Sequence, residues 1–183
     1  MLVKFIVVFF IFFLFLFNWS DFSWVFSPRA LPQGLQGLVE KKGEVTEEED
    51  SVSIPKINVM APVVLPINDD FDEALNRGVT FFTGSVLPGE NGTTILLGHS
   101  APPNWPDIRY DGVFNDLDKL EKNDDIYVAF SYRRYTYGVE DIIYVQQGEE
   151  IPALTTDKNM IALVSCWPPG QNKQRIVVRG LLR

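Results

Sequence analysis

A chain of 183 residues, 46% hydrophobic and 22% charged, holds one ordinary domain plus a tail or anchor, and is neither disordered overall nor collagen-like. Its 24 acidic residues outnumber 16 basic ones, and a formal net charge of -8 has the wrong sign for a nucleic-acid binder. One Cys and one His exclude an intrachain disulfide framework and any multi-cysteine zinc or iron–sulfur site, while leaving room for a catalytic pair.

Residues 5–17, FIVVFFIFFLFLF, form an unbroken apolar run behind Lys4. A spanning helix needs about 20 residues. The run extends back through Leu2 and Val3 and, lightly broken, forward through Trp19, Phe22, Trp24, Val25 and Phe26. Tryptophan at the exit suits a membrane interface. Residues 1-26 are therefore expected to be a single-pass N-terminal transmembrane anchor that holds the membrane through residues 5-26. A cleaved signal peptide is the alternative, although Ser27-Pro28-Arg29-Ala30 offers it a poor cleavage site. Either reading exports the rest of the chain.

Residues 27-52 read as a linker, with Pro28, Pro32, Gly34, Gly37 and Gly43 and then the acidic run Glu47-Glu48-Glu49-Asp50, which solvates and extends a chain. The folded domain is expected over residues 53-183, enough for one solid core.

Within it, Ile54 to Val59 reads as a strand with an early proline, and Ala61 to Leu65 as a second. Asn68 to Gly78 has cap residues, early acids and a closing glycine, which predicts a short helix. The acids Asp69, Asp70, Asp72 and Glu73 complement its dipole. Asn91-Gly92 turns the chain into a buried strand through Leu97. Val113 to Leu120 places Phe114, Leu117 and Leu120 on one helical face. Strands are expected over 125–130, 134–145, 160–165 and 175–182. Strands dominate, so the expected class is an all-β barrel or sandwich with two short helices.

His99 follows the apolar strand Thr94 to Leu97 through Gly98, and Cys166 follows the apolar run Ile161 to Val164 through Ser165. Both residues stand where a buried strand opens to solvent, a rigid place for a reactive group. Arg175 opens the next strand, after a turn containing Pro168, Pro169 and Gly170. A thiolate is a nucleophile, an imidazolium stabilises it and protonates a leaving amine, and a guanidinium holds a carbonyl or oxyanion. Such a trio suits acyl transfer through a thioester and needs no metal or cofactor. Each residue also has a bland reading: a small buried hydrophobe, a surface imidazole, an ion-paired arginine.

Three segments carry a resemblance. Thr93-Thr94-Ile95-Leu96-Leu97-Gly98-His99-Ser100 resembles the histidine strand of sortases, Ala162-Leu163-Val164-Ser165-Cys166 their TLxTC cysteine motif, and Gln174-Arg175-Ile176-Val177-Val178-Arg179-Gly180 their arginine strand. Ile54 to Val59 is similar to the family's first core strand, and the match runs in order through most of residues 53-183. The resemblance implies an eight-stranded sortase β-barrel in a membrane-anchored cysteine transpeptidase with its catalytic domain outside a bacterial cell. It implies that Cys166 attacks an LPxTG-like sorting motif, that His99 shuttles the proton, and that Arg175 holds the substrate. An amine from a peptidoglycan precursor or a protein would resolve the thioester.

Ala162 and Ser165 replace the two motif threonines. Ser165 keeps a hydroxyl for a substrate hydrogen bond and Ala162 gives one up, so both bear on substrate binding. Trp167, beside the cysteine, either flanks the substrate or packs at the rim. Arg179 shares the face of Arg175 but lies about 13 Å further along. The loop Ala101 to Asp107 either walls the groove or only stiffens the connection. Pilus-forming sortases carry an Asp-Pro-aromatic lid and often a second span; Asp21-Phe22-Ser23-Trp24 lacks the proline. Protein anchoring to the wall is therefore expected over pilus assembly. The rivals are an L,D-transpeptidase, which places His-Gly just before its cysteine, an inactive sortase, and a non-catalytic membrane-tethered β-domain binding a wall component or protein.

Overall fold

The computed structural model describes residues 49–68, 70–149 and 157–183, together with Phe9. The anchor reading for 1-26, most of the linker reading for 27-52 and residues 150–156 lie outside them. Among the described residues, no helix is long and apolar enough to cross a membrane.

Eight strands close into one barrel: Ser51–Ile54 (β1), Val59–Val64 (β2), Val79–Phe81 (β3), Gly92–Leu97 (β4), Asp125–Phe130 (β5), Arg133–Gln146 (β6), Asn159–Trp167 (β7) and Gln174–Leu182 (β8). Their order around the barrel is β1-β2-β3-β4-β7-β8-β6-β5, with β5 pairing back to β1. Two neighbouring pairs, β2 with β3 and β4 with β7, are parallel. One α-helix, Phe71–Arg77 (α1), crosses between β2 and β3.

The expected barrel is present, and several local readings change. The strand expected over Ile54 to Val59 is two strands split at Pro55, where a 3-10 turn over Pro55–Ile57 ends with Asn58 in the left-handed region at φ 53°. Proline cannot donate to a ladder, and Asn tolerates that backbone. The first strand begins at Ser51, inside the segment read as linker, because Ser51 and Val52 pair with Pro62 and Ala61 of β2. Strand β3 has three residues and escaped the pattern reading.

The helix α1 forms as expected: the Asp70 carboxylate accepts the Glu73 amide at 3.0 Å, Arg77 sits in the last turn, and Ala74 is buried. The second expected helix does not form. Residues 110–120 are successive turns closed by a 3-10 turn over Leu117–Lys119. The Phe114 amide donates to the His99 carbonyl at 3.0 Å, and the Val113 and Asn115 amides close tight turns onto the Tyr110 and Gly112 carbonyls. The apolar stripe is real nonetheless. Phe114, Leu117 and Leu120 are buried with Tyr110 in the main core and plug one end of the barrel.

Alternation along the strands separates two apolar surfaces. Val52, Ile54, Leu96, Ile126, Val128, Ile161, Leu163, Ile176 and Val178 fill the interior. On the outer face, Ile95, Val145, Ala162, Val164 and Val177 form a second buried cluster flanked by Leu97 and Ile143. That outer cluster spans β4, β7, β8 and β6, and it leads to the end of the barrel where His99 and Cys166 emerge.

Candidate active site

Cys166 is half-buried near the end of β7. Ala162 and Val164 belong to the outer cluster, whereas Ile161, Leu163 and Trp167 pack on the interior. Period-two alternation therefore puts Cys166 on the outer face, at the head of the apolar strip. A thiol facing the core would have been inert packing.

Its two neighbours come from either side. On β8, Cys166 pairs in register with Arg175. On β4, the parallel ladder ends with Leu97 opposite Val164, and the Gly98 amide continues it by donating to the Val164 carbonyl at 3.1 Å. Two hydroxyls then fasten the strand ends. Ser165 Oγ donates to the Gly98 carbonyl at 2.8 Å, and Ser100 Oγ donates to the Cys166 carbonyl at 2.8 Å. These bonds hold the backbone of His99, between Gly98 and Ser100, alongside the strand end that carries Cys166. The His99 carbonyl accepts the Phe114 amide, which fixes the chain beyond it against the barrel plug.

Gly98 is needed here for space. A Cβ at this position would stand 2.4 Å from the Phe114 ring, so only glycine lets the strand run over the plug. The two loops above the site also touch. Gly170, at φ +72° between Cys166 and Arg175, has Pro102 of the loop after His99 packed so closely that a Cβ would sit 2.5 Å from the proline. The proline-rich loop is braced in turn: Trp105 Nε1 donates to Asp111 Oδ2 at 2.9 Å, and the Ala101 amide donates to Asn115 Oδ1 at 2.7 Å.

The arginines separate cleanly. Arg179 pairs with Ala162 in register and forms a two-pronged ion pair with Asp141. That hydrogen-bonded pairing holds the Asp141 carboxyl below the usual carboxylate range and raises the Arg179 guanidinium further. Arg175 meets no carboxylate among the described residues. Its Nη1 donates to Asn172 Oδ1 at 2.7 Å and to the Gln174 carbonyl at 3.0 Å. Asn172 Oδ1 also stands 3.8 Å from Cys166 Sγ. Nothing in the sequence pattern singled out Asn172, an exposed turn residue.

The structure redirects the remaining candidates. Ser165 is 3% exposed, and its hydroxyl is spent on Gly98 rather than turned to a substrate. Ala162 is 1% exposed, packed within the outer cluster, and contributes floor rather than a contact surface. Trp167 packs against the interior core and meets Tyr144 in a tilted contact, 5.6 Å between ring centroids and 51° between ring planes, so it caps the barrel end behind the cysteine. Burial lifts the Tyr144 hydroxyl pKa above its ordinary value, with Asp118 adding to the shift.

The family model of the sortase domain matches residues 52–183. The chain belongs to the sortase family. Sortase D of Bacillus subtilis is 30% identical over 143 residues, covering 76% of this chain and 66% of that protein, so the chain spans just under two thirds of that relative. Among solved structures, sortase C-1 from Actinomyces oris is 27% identical with a TM-score of 0.62, covering 73% of this chain and 71% of its own. Streptococcus pneumoniae sortase C is 27% identical with a TM-score of 0.63, covering 80% of this chain and 76% of its own. A sortase barrel thus brings the strand ends that carry His99 and Cys166 together, with Arg175 opposite Cys166 in register.

Proposed function

We propose that this sortase is a membrane-anchored cysteine transpeptidase that cuts an LPxTG-like sorting signal and joins the acyl fragment to an amine. The observation that carries the reading is the register: Cys166 lies between the strand end bearing His99 and the register partner Arg175, on an outer face paved with apolar residues. An extended peptide laid across that end of the barrel would pass over the partly exposed Leu97, with Val164 and Val177 buried as the floor beneath, and bring its scissile carbonyl to the thiol.

The Cys166 thiolate attacks the carbonyl carbon and forms the C–S bond. The oxyanion that results is held by the Arg175 guanidinium. Collapse breaks the C–N bond, and the imidazolium of His99 gives its proton to the departing amine. An incoming amine loses its proton to the neutral imidazole and attacks the thioester, which forms the new amide and releases the thiolate. Water in place of the amine would give hydrolysis. Residues 5-26 would tether the domain to the outer face of the bacterial membrane.

Attachment of surface proteins to a peptidoglycan amine is the preferred outcome, since Asp21-Phe22-Ser23-Trp24 lacks the proline of a pilin-type lid. Joining of protein subunits is the second reading, favoured by the likeness to Streptococcus pneumoniae sortase C, a structure that bears on pilin substrate specificity. One experiment tests both. The purified chain and its Cys166→Ala variant are incubated with LPxTG-like peptides and, in turn, hydroxylamine, a diaminopimelate-type stem peptide and a lysine-bearing pilin peptide. A Cys166-dependent hydroxamate establishes the thioester, and the better amine distinguishes wall attachment from subunit joining. A folded thiol that yields no adduct and resists alkylation would instead support the tethered binding domain.

A further inference from the structure

Two donors converge on one atom beside the thiol. Asn172 Oδ1 accepts Arg175 Nη1 at 2.7 Å and lies 3.8 Å from Cys166 Sγ, within reach of the S–H. The group that these donors surround is a carbonyl oxygen, the chemical class that a scissile peptide presents. The point is defined by the fold. Arg175 is opposite Cys166 in the ladder, the Gln171 amide closes the turn onto the Pro168 carbonyl at 2.8 Å, and Gly170 is wedged under Pro102. The short turn that links nucleophile to arginine thus presents an amide between them.

We infer that Asn172 is a positioning residue and internal placeholder: its side-chain carbonyl aims the Arg175 guanidinium at the thiol and takes the place that the substrate's carbonyl oxygen must occupy. This deepens the transpeptidase reading and rests on it for the identity of the substrate. Acylation then requires the amide to swing out, which an exposed turn side chain does at little cost. The exchange trades one carbonyl for another on the same guanidinium, so Arg175 stays oriented while the substrate enters. Without Asn172, the arginine loses its aim and the substrate loses a competitor.

Two substitutions move these effects in opposite directions. Asn172→Ala removes the competitor and the tether, so KM and kcat for peptide cleavage fall together, each about three- to tenfold. Asn172→Asp keeps the shape and adds charge; a charge-assisted pair with Arg175 is harder to displace, so KM rises by a similar factor. A merely structural role would lower the active fraction and leave KM alone. Alkylation of Cys166 by iodoacetamide gives a reading without peptide: faster than wild type in Asn172→Ala, slower in Asn172→Asp. Thermal melts of all three proteins confirm equal folding. Equal alkylation rates, or a KM that does not move in opposite directions, overturn the inference. If the alkylation order holds but no peptide is cleaved by wild type, Asn172 governs the thiol and it is the transpeptidase reading that fails.

Discussion

Ser165 and Gly98 are joined by a hydrogen bond from hydroxyl to carbonyl at 2.8 Å, one residue short of Cys166 on one strand and of His99 on the other. The pair therefore fixes the offset between the two strand ends that carry Cys166 and His99. In the family motif this position holds threonine, so a hydroxyl is retained for an architectural purpose inside the barrel rather than for contact with substrate.

Replacing Ser165 with Ala leaves the Gly98 carbonyl without that donor in a buried setting, a loss of about 1–3 kcal/mol. Urea unfolding should show that loss, with kcat reduced and KM for peptide little changed. Ser165→Thr should retain both stability and turnover. A raised KM in the Ala variant, at normal stability, would return the hydroxyl to the substrate.

The two arginines of β8 should behave differently. Arg175→Ala removes the guanidinium beside the thiol and should lower kcat/KM by about 10²–10³, the range for loss of one oxyanion donor. Arg179→Ala, which breaks only the pair with Asp141, should leave kcat/KM within about threefold, a change worth well under one kcal/mol. Steady-state kinetics on both variants decide it, and equal losses would mean that the assignment of Arg175 is wrong.

The Asp141–Arg179 pair also makes a prediction about acid. The Asp141 carboxyl is held below its ordinary value, chiefly by its hydrogen bond to Arg179. Its stabilising effect is therefore fully present above the ordinary Asp range, near about 3.9, and is lost as pH falls through the folded-state value. Asp141→Asn should melt lower than wild type at pH 7, and the gap should narrow in the acid range. A gap that is constant between pH 7 and pH 3 would assign the loss to shape rather than charge.

Gly98→Ala puts a methyl group into the Phe114 ring. Overpacking of this kind costs about 1–3 kcal/mol. The strain falls beside His99, so activity should drop more than the fraction of folded protein does. A double variant with Phe114→Leu should recover part of both, and no recovery would place the defect elsewhere.

Much of this was legible in the sequence, for identifiable reasons. His99 and Cys166 are single copies of their residue types, each preceded by an apolar strand, so their position at a strand exit could be read directly. The preference for Arg175 over Arg179 also followed from position, and the structure supplies Asp141 as the reason Arg179 is engaged. The illegible parts depend on who faces whom. Ser165 looked available because only tertiary register shows that a carbonyl from β4 lies within its reach. Residues 113–120 looked helical because their apolar spacing serves a barrel plug as well as it serves a helix face. Asn172 carried no signal, since a polar residue in a turn is the commonest thing a turn contains.

The parallel union of β4 and β7 has a consequence for how this protein becomes reactive. Strands β5 and β6 lie between them in sequence, yet neither lies between them in the barrel. A growing or half-folded chain can thus present the histidine strand, and later the thiol, without the two having met. Under the proposed function, reactivity requires β4 and β7 to be joined, and it would be lost on opening the seam between them. A chain in which that seam has not formed carries its thiol without its partners, so folding itself would license the cut.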